Sequence, residues 1–196
     1  MEDMTVGEGF SEAERGHVAA LYWEAFGRKL RPAFTDEPTG LAVVRAALRS
    51  DRLLVARQSG RVVGACGFYQ AGVGAADLRW SPLRESLSTL AALRATLVLS
   101  VLARSDRPGA LVLDGICVDH AARGRGTGTA LLSAAADKAR RTGASRVRLS
   151  VVDDNPRARA LYERRGFTPT GRGTLGPLSS VYGFDGYTTM ELEVRR

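Results

Sequence analysis

Lysine is nearly absent: of 28 basic residues only Lys29 and Lys138 are lysine, leaving 28 − 2 = 26 arginines. The formal net charge is +7, but acidic residues interrupt the arginines from Arg15 to Arg196, so no block of like charge forms a nucleic-acid arm or tail. Specific nucleic-acid binding is therefore not expected. Cysteine is as scarce. Cys66 and Cys117 sit in the strand-like runs "VVGACGF" and "LDGICVD", which excludes a disulfide framework and reads as two buried thiols in a reducing, cytoplasmic setting. No basic stretch leads an apolar one in "MEDMTVGEGF", so no signal peptide is expected. Long apolar runs are missing too: "STLAALRATLVLSVLA", residues 88–103, is broken by Arg94 and falls short of the roughly 18 to 20 residues a bilayer span needs. There is no internal repeat and no linker.

What remains is a chain of 196 residues, suited to one domain over 1–196. Ser11 and Glu14 form a capping box before Val18, Leu21, Tyr22 and Phe26, predicting a helix over 12–28. Leu41, Val44 and Leu48 predict a second, ending near Ser50. "RLLVARQSGRVVGACGFY" reads as an antiparallel hairpin, and 71–81 as a loop. Leu83, Leu87, Leu90, Leu93, Leu97 and Val101 predict a helix over 83–104. Within a helical insertion at about 71–108, we assign that helix to a lid or wall. A strand is expected at 110–118, a helix from the glycines to Arg141, and a strand through Val147, Leu149 and Val151. In "DDNPRARALYERRGF", Asn155 is an N-cap, Pro156 the first helical residue and Gly166 a left-handed stop. With the closing strand "YTTMELEV", the order implies an α/β fold: a mixed, twisted sheet of six or seven strands with helices on both faces.

Gly124, Gly126 and Gly128 stand directly before a helix. A helix start presents unpaired N–H groups and about half a positive charge, so a bare backbone there admits phosphate oxygens. Arg123 and Arg125 add charge, and Thr127 and Thr129 hydroxyl donors. The dinucleotide fingerprint fails, because Thr129 and Leu131 occupy the offsets that need a small residue, and the P-loop fails for want of Gly-Lys. The pattern Arg/Gln-x-x-Gly-x-Gly/Ala after a strand is met by Arg123, Gly126 and Gly128.

Here the chain resembles the GNAT superfamily of acyl-CoA dependent N-acetyltransferases. "LDGICVDHAARGRGTGTALL" is similar to its strand, pyrophosphate loop and helix, and "VVDDNPRARALYERRGF" to its second block, through Asn155, Ala158, Leu161, Tyr162, Gly166 and Phe167. The likeness is close over about 110–170 and elsewhere follows only element order. It implies acetyl-CoA as co-substrate, without a metal. It places cofactor contacts at Ile116, Cys117 and Val118, at Arg123, Gly124, Arg125, Gly126, Thr127, Gly128 and Thr129, and at Asn155 and Tyr162. The backbone of Ile116 and Val118 would pair with the pantetheine arm, and the Tyr162 hydroxyl would lie near the thioester sulfur; read alone, Tyr162 is a core aromatic before it is anything else, and the resemblance reverses that.

Such a transfer needs a base, since an amine of pKa about 10.4 is neutral in roughly one molecule in 2,500 at pH 7, a cost near 4.6 kcal/mol. It also needs an acid for the departing thiolate, which Tyr162 can supply. Asp114 is the candidate base: strict alternation along "LVLDGICV" puts it on one face with Val112, Ile116 and Val118, among apolar neighbours. The shorter Asp, where superfamily members hold Glu, suggests action through a water. An Asp bonded to backbone beside a bulge at Gly115 fits the residues equally. His17 and His120 read as solvated or capping residues, and Asp153 and Asp154 as a charge pair at a helix start. The expected activity is acetyl transfer to a primary amine of a small molecule, with a protein or peptide acceptor as the alternative and a basic nucleic-acid or acyl-CoA binding module as the reading from another class. Helix one, the inserted helix and residues 171–187, with Tyr182, Phe184 and Tyr187, would choose the acceptor. The expected partners are acetyl-CoA and that amine, with a homodimer as an option and no membrane.

Overall fold

The computed structural model describes residues 4–102 and 106–194. Seven strands form one sheet: β1 (Met4–Glu8), β2 (Leu53–Gln58), β3 (Arg61–Phe68), β4 (Ala110–Val118), β5 (Arg146–Val152), β6 (Thr168–Thr174) and β7 (Gly186–Glu193). Their spatial order is β1-β2-β3-β4-β5-β7-β6. Only β4 and β5 run parallel, joined by the helix α5 (Thr127–Arg141); all other neighbours are antiparallel. The predicted α/β class, strand number and two-faced covering are all present.

Two apolar layers result. One face of the sheet packs against α1 (Arg15–Leu30), α2 (Glu37–Ala47), α3 (Trp80–Ser86) and α4 (Thr89–Ser100), around Val18, Val44, Leu53, Val55 and Leu83. The other packs against α5 and α6 (Pro156–Arg164), around Phe68, Leu131, Leu132, Val147 and Met190. Short α7 (Ser179–Tyr182) lies in the β6–β7 connection. Cys66 and Cys117 are both buried but belong to opposite layers.

Local chemistry sets several boundaries. Glu14 accepts from the Ser11 amide at 2.7 Å and pairs with Arg57 of β2, so the capping residues form a turn and α1 begins only at Arg15. Asp36 caps α2, accepting from the Thr39 amide at 2.7 Å. Asn155 caps α6 through the Ala158 amide at 3.1 Å, and Gly166, at φ +85°, ends the turn after it, as the sequence implied.

The single helix expected over 83–104 is two helices. Leu87 is extended, and Ser88 caps a new start at the Ala91 amide. The break reorients the leucines: Leu83 and Leu87 face the core, whereas Leu90, Leu93, Leu97 and Val101 face outward, Leu90 at 81% exposure. Helix α4 instead buries its small face, Ala92, Ala95 and Leu99. The expected end at 104 lies outside the described residues. No helix among the described residues is long and apolar enough to cross a membrane.

Candidate active site

The parallel β4–β5 ladder is short: Ala110, Leu111 and Val112 pair with Arg146, Val147 and Arg148, and beyond them no pairing continues. The two strands part there, and a cleft of about 270 Å³ opens between them. Asp114, Gly115 and Ile116 of β4 form one wall, and Ser150, Val151 and Val152 of β5 the other. Asn155, Ala158 and Tyr162 of α6 line the side nearest the β5 end. Tyr22, Phe26, Lys29 and Leu30 of α1, Val101 and Leu102 after α4, and Leu175, Phe184 and Tyr187 of the β6–β7 region complete it.

A bulge in β4 sets where Asp114 points. Gly67 of β3 faces Gly115 while Phe68 faces Leu113, leaving Asp114 as the extra residue. The alternation expected from sequence therefore shifts by one position. Ile116 and Val118 pack in the α5 layer, whereas Asp114 turns to the α1 side, where its Oδ2 accepts from the Tyr22 hydroxyl at 3.3 Å and the Ala75 amide at 3.1 Å. The predicted face with Ile116 and Val118 is thus corrected, and the bulged residue is Asp114, one before Gly115. The carboxylate both bonds backbone and lines the cleft. Tyr22, which the helical pattern marked only as a core residue, is its buried partner, and burial together with the nearby Asp114 charge holds its hydroxyl well above the ordinary tyrosine range. Nothing in the spacing links residues so far apart in the chain.

Tyr162 is buried beside Phe167, ring centroids 5.9 Å apart, and also lines the cleft. It is thus a core aromatic that also reaches the cleft wall. Cys117 faces the α1 layer, with its Sγ directed to the Ala65 carbonyl at 3.6 Å, and burial pushes its thiol up to about 12. The Cys66 thiol is raised as well, by burial. Neither lines the cleft.

The glycine loop sorts into three roles. Gly124 and Gly126 have φ of +79° and +89°, and a Cβ on either would meet nothing within 4 Å, so their backbone opens to solvent. Gly126 is the N-cap of α5, which no side chain caps. The amides of the first turn, at Thr127, Gly128 and Thr129, are thus left to solvent or a ligand. Gly128 differs: a Cβ there would lie 2.9 Å from Leu161 Cδ2, so this glycine serves the close packing of α5 on α6. The Thr127 hydroxyl is corrected as an anion donor, being buried and donating to the Ala122 carbonyl at 3.3 Å. Arg123 is tied back to the Val118 carbonyl and to Glu24 of α1, both at 3.1 Å, because those acceptors flank it. Arg125 stays exposed at the loop.

Elsewhere, His17 Nε2 lies 2.9 Å from the Val62 carbonyl, and His120 is exposed in the turn that Asp119 caps. Asp153 accepts from the Thr188 hydroxyl and Asp154 pairs with Arg28, so the two acids have separate structural partners. Of the expected acceptor aromatics, Phe184 and Tyr187 line the cleft, but Tyr182 is buried with its hydroxyl donated to the Val98 carbonyl at 2.5 Å.

The sheet is thus split at the parallel β4–β5 seam, and a glycine loop without a side-chain cap leads into the crossover helix. The family model of the Acetyltransferase (GNAT) family matches residues 17–167, and the chain belongs to that family. A mycothiol acetyltransferase of Beutenbergia cavernae is 56% identical over 52 residues, which are 26% of this chain and 18% of that protein. The chain thus matches under a fifth of that relative's length. Among solved structures, an N-acetyltransferase from Staphylococcus aureus Mu50 superposes with a TM-score of 0.72 at 19% identity, covering 96% of this chain and 100% of that one. The Salmonella typhimurium protein yncA, determined with its cofactor acetyl-CoA, does so at 0.58 and 20% identity, over 98% and 95%. These likenesses carry the fold.

Proposed function

We propose that this chain transfers the acetyl group of acetyl-CoA directly onto a primary amine of a small molecule. The observation that carries the reading is the opening of the β4–β5 seam, with Asp114 and Tyr162 both lining the cleft and the glycine loop leading from the end of β4 into α5. The residues fit the co-substrate. The open backbone at Gly124 and Gly126 and the first-turn amides through Thr129 receive the pyrophosphate, with Arg125 alongside. The freed backbone of Ile116 and Val118 pairs with the pantetheine arm as with an added strand. Asn155 holds the start of α6 and so positions Tyr162.

In the reaction, Asp114, acting through a water, takes the proton of the amine as the C–N bond forms. As the C–S bond breaks, Tyr162 donates its proton to the thiolate and regains one from solvent. Direct transfer is favoured over a covalent acyl-cysteine because a buried thiol held near 12 supplies almost no thiolate, and neither cysteine reaches the cleft. The two thiols, neutral and apart, also suit a reducing cytoplasmic setting. The whole chain acts as one domain, with residues 71–108 shaping the acceptor side through Val101, Leu102 and the Ala75 amide that holds Asp114.

A screen of amines, amino acids and peptides, read as release of CoA thiol, tests the function. We expect release that requires a primary amine and favours small acceptors. Release indifferent to amine would overturn the transfer reading, and a preference for peptides would replace the acceptor class.

A further inference from the structure

Asp114 is held by one of its two oxygens. Both donors that reach it, the Tyr22 hydroxyl at 3.3 Å and the Ala75 amide at 3.1 Å, end on Oδ2, and Oδ1 accepts from none of the described residues. Two glycines wall the seat. A Cβ on Gly74 would lie 2.8 Å from Oδ2, and one on Gly67 would lie 3.2 Å from Asp114 Cβ and 2.6 Å from that of Ala75. Tyr22 is itself fixed. Its ring is buried, with its centroid 4.7 Å from that of Phe26, and Phe26 covers Gly115, where a Cβ would come within 2.3 Å of the Phe26 ring. The seat is thus built from α1, β3 and the segment after β3, around the residue that the strand bulge sets apart. The titratable groups about it are Tyr22 from α1, Cys66 of β3, Tyr69 after β3 and Cys117 of β4, with Lys29 and Tyr162 lining the same cleft. Burial raises the Tyr22 hydroxyl and both thiols, so these three stay neutral at and below pH 7.

Resting on the acetyltransferase reading, we infer that Tyr22 is a positioning residue for the base: with the Ala75 amide it pins Asp114 Oδ2 in this seat, so that Oδ1 is the oxygen presented to the acceptor. A short carboxylate that works through a water needs the constraint, because rotation of the side chain would swing its free lone pairs away from that water. In the transfer, one proton passes from the amine to the water and another from the water to Oδ1 as the C–N bond forms. Tyr22 keeps its own proton throughout. Hydrogen bonds donated to a carboxylate favour its charged form, so deleting the Tyr22 donor should move the pH at which activity fails.

The test uses the full chain with acetyl-CoA and the amine that the screen above ranks first. Tyr22→Phe keeps the ring and its contact with Phe26 and deletes only the donor. The acid limb of kcat/KM should rise by about one pH unit and kcat on the plateau should fall about fivefold, while acetyl-CoA affinity in calorimetry stays within about twofold. The 13Cγ signal of Asp114, assigned through Asp114→Asn and titrated without acceptor, should move upward with the limb. Added to Asp114→Asn, Tyr22→Phe should change kcat by less than about twofold, because the two residues act as one unit. A limb and a 13Cγ titration unmoved in folded Tyr22→Phe would overturn the inference, as would an equal loss of kcat in both backgrounds. Gly74→Ala leaves Tyr22 in place and drives a Cβ toward Oδ2, so kcat should fall at least about fivefold with acetyl-CoA still bound. A normal kcat there would overturn the inference even if Tyr22→Phe failed to fold. Transfer unchanged by Asp114→Asn would end the inference and leave the acetyltransferase reading standing, whereas a native chain that acetylates no amine would remove both.

Discussion

The two ends of the cleft are assembled in opposite ways. The end toward α5 comes from nearby stretches, residues 116–129 and 155–162, whose geometry is set largely by local turns and caps. The acceptor end gathers side chains from α1, the segment after α4, and the β6–β7 region, whose positions depend on packing between layers. The first can be shared across a family while the second is remade, because changing loops on a rigid seam leaves the seam intact.

The sharpest way to break this contrast is at Tyr162, which belongs to the local end yet is packed like core. Tyr162→Phe should keep the ring contact with Phe167 and acetyl-CoA affinity, while kcat falls by at least tenfold, as removal of a general acid requires. Saturating kinetics with thermal unfolding alongside measures it, and a normal kcat would leave Tyr162 a packing residue.

Asp114→Asn probes the join of the two ends. The amide oxygen can still accept from Tyr22 and Ala75, so the fold should persist while kcat/KM drops by roughly tenfold or more for loss of the base. A variant as active as the native protein would reduce Asp114 to its backbone contact.

Paired glycine variants sharpen the comparison within the loop. Gly126→Val places a side chain at φ +89° in open space where the anion is expected, and should weaken acetyl-CoA binding by more than ~2 kcal/mol in calorimetry. Gly128→Val meets Leu161 instead, so its main effect should be a loss of about 1 to 3 kcal/mol in unfolding. If both variants lost only stability, the loop would be a packing device.

The smallest effect lies away from the cleft. Ion pairing with Arg57 lowers the Glu14 carboxyl from 4.5 to about 2, so its stabilisation is present above pH 4.5 and fades as pH falls toward 2. Glu14→Gln should remove about 1 kcal/mol at pH 7, with the two proteins converging near pH 2 in thermal unfolding. The kinetics at pH 7 should not follow.

The local end was legible because caps and turns depend on neighbours in the chain: Asn155, Gly166 and the glycine triplet lie where the pattern put them. The misreadings came from interactions across the fold. Strict alternation missed the bulge at Asp114, since only the register against β3 shows the extra residue. The leucine stripe looked continuous because periodicity does not register the extended Leu87 between two helices. Strand β6 carries no alternation of its own, because its residues are exposed nearly throughout.

The sequence by itself determined the class of fold and the glycine loop before a helix, because each rests on spacing along a strand, turn or helix, whereas Tyr162 as the candidate acid rests on the family resemblance. Only the tertiary structure decided which face Asp114 takes, that Tyr22 holds it, that Thr127 and Gly128 serve packing, and that Lys29 shares a cleft with Phe184. The reason is physical: caps and periods are fixed within a few residues, whereas a strand register and a cleft wall are settled by the packing of layers far apart in the chain.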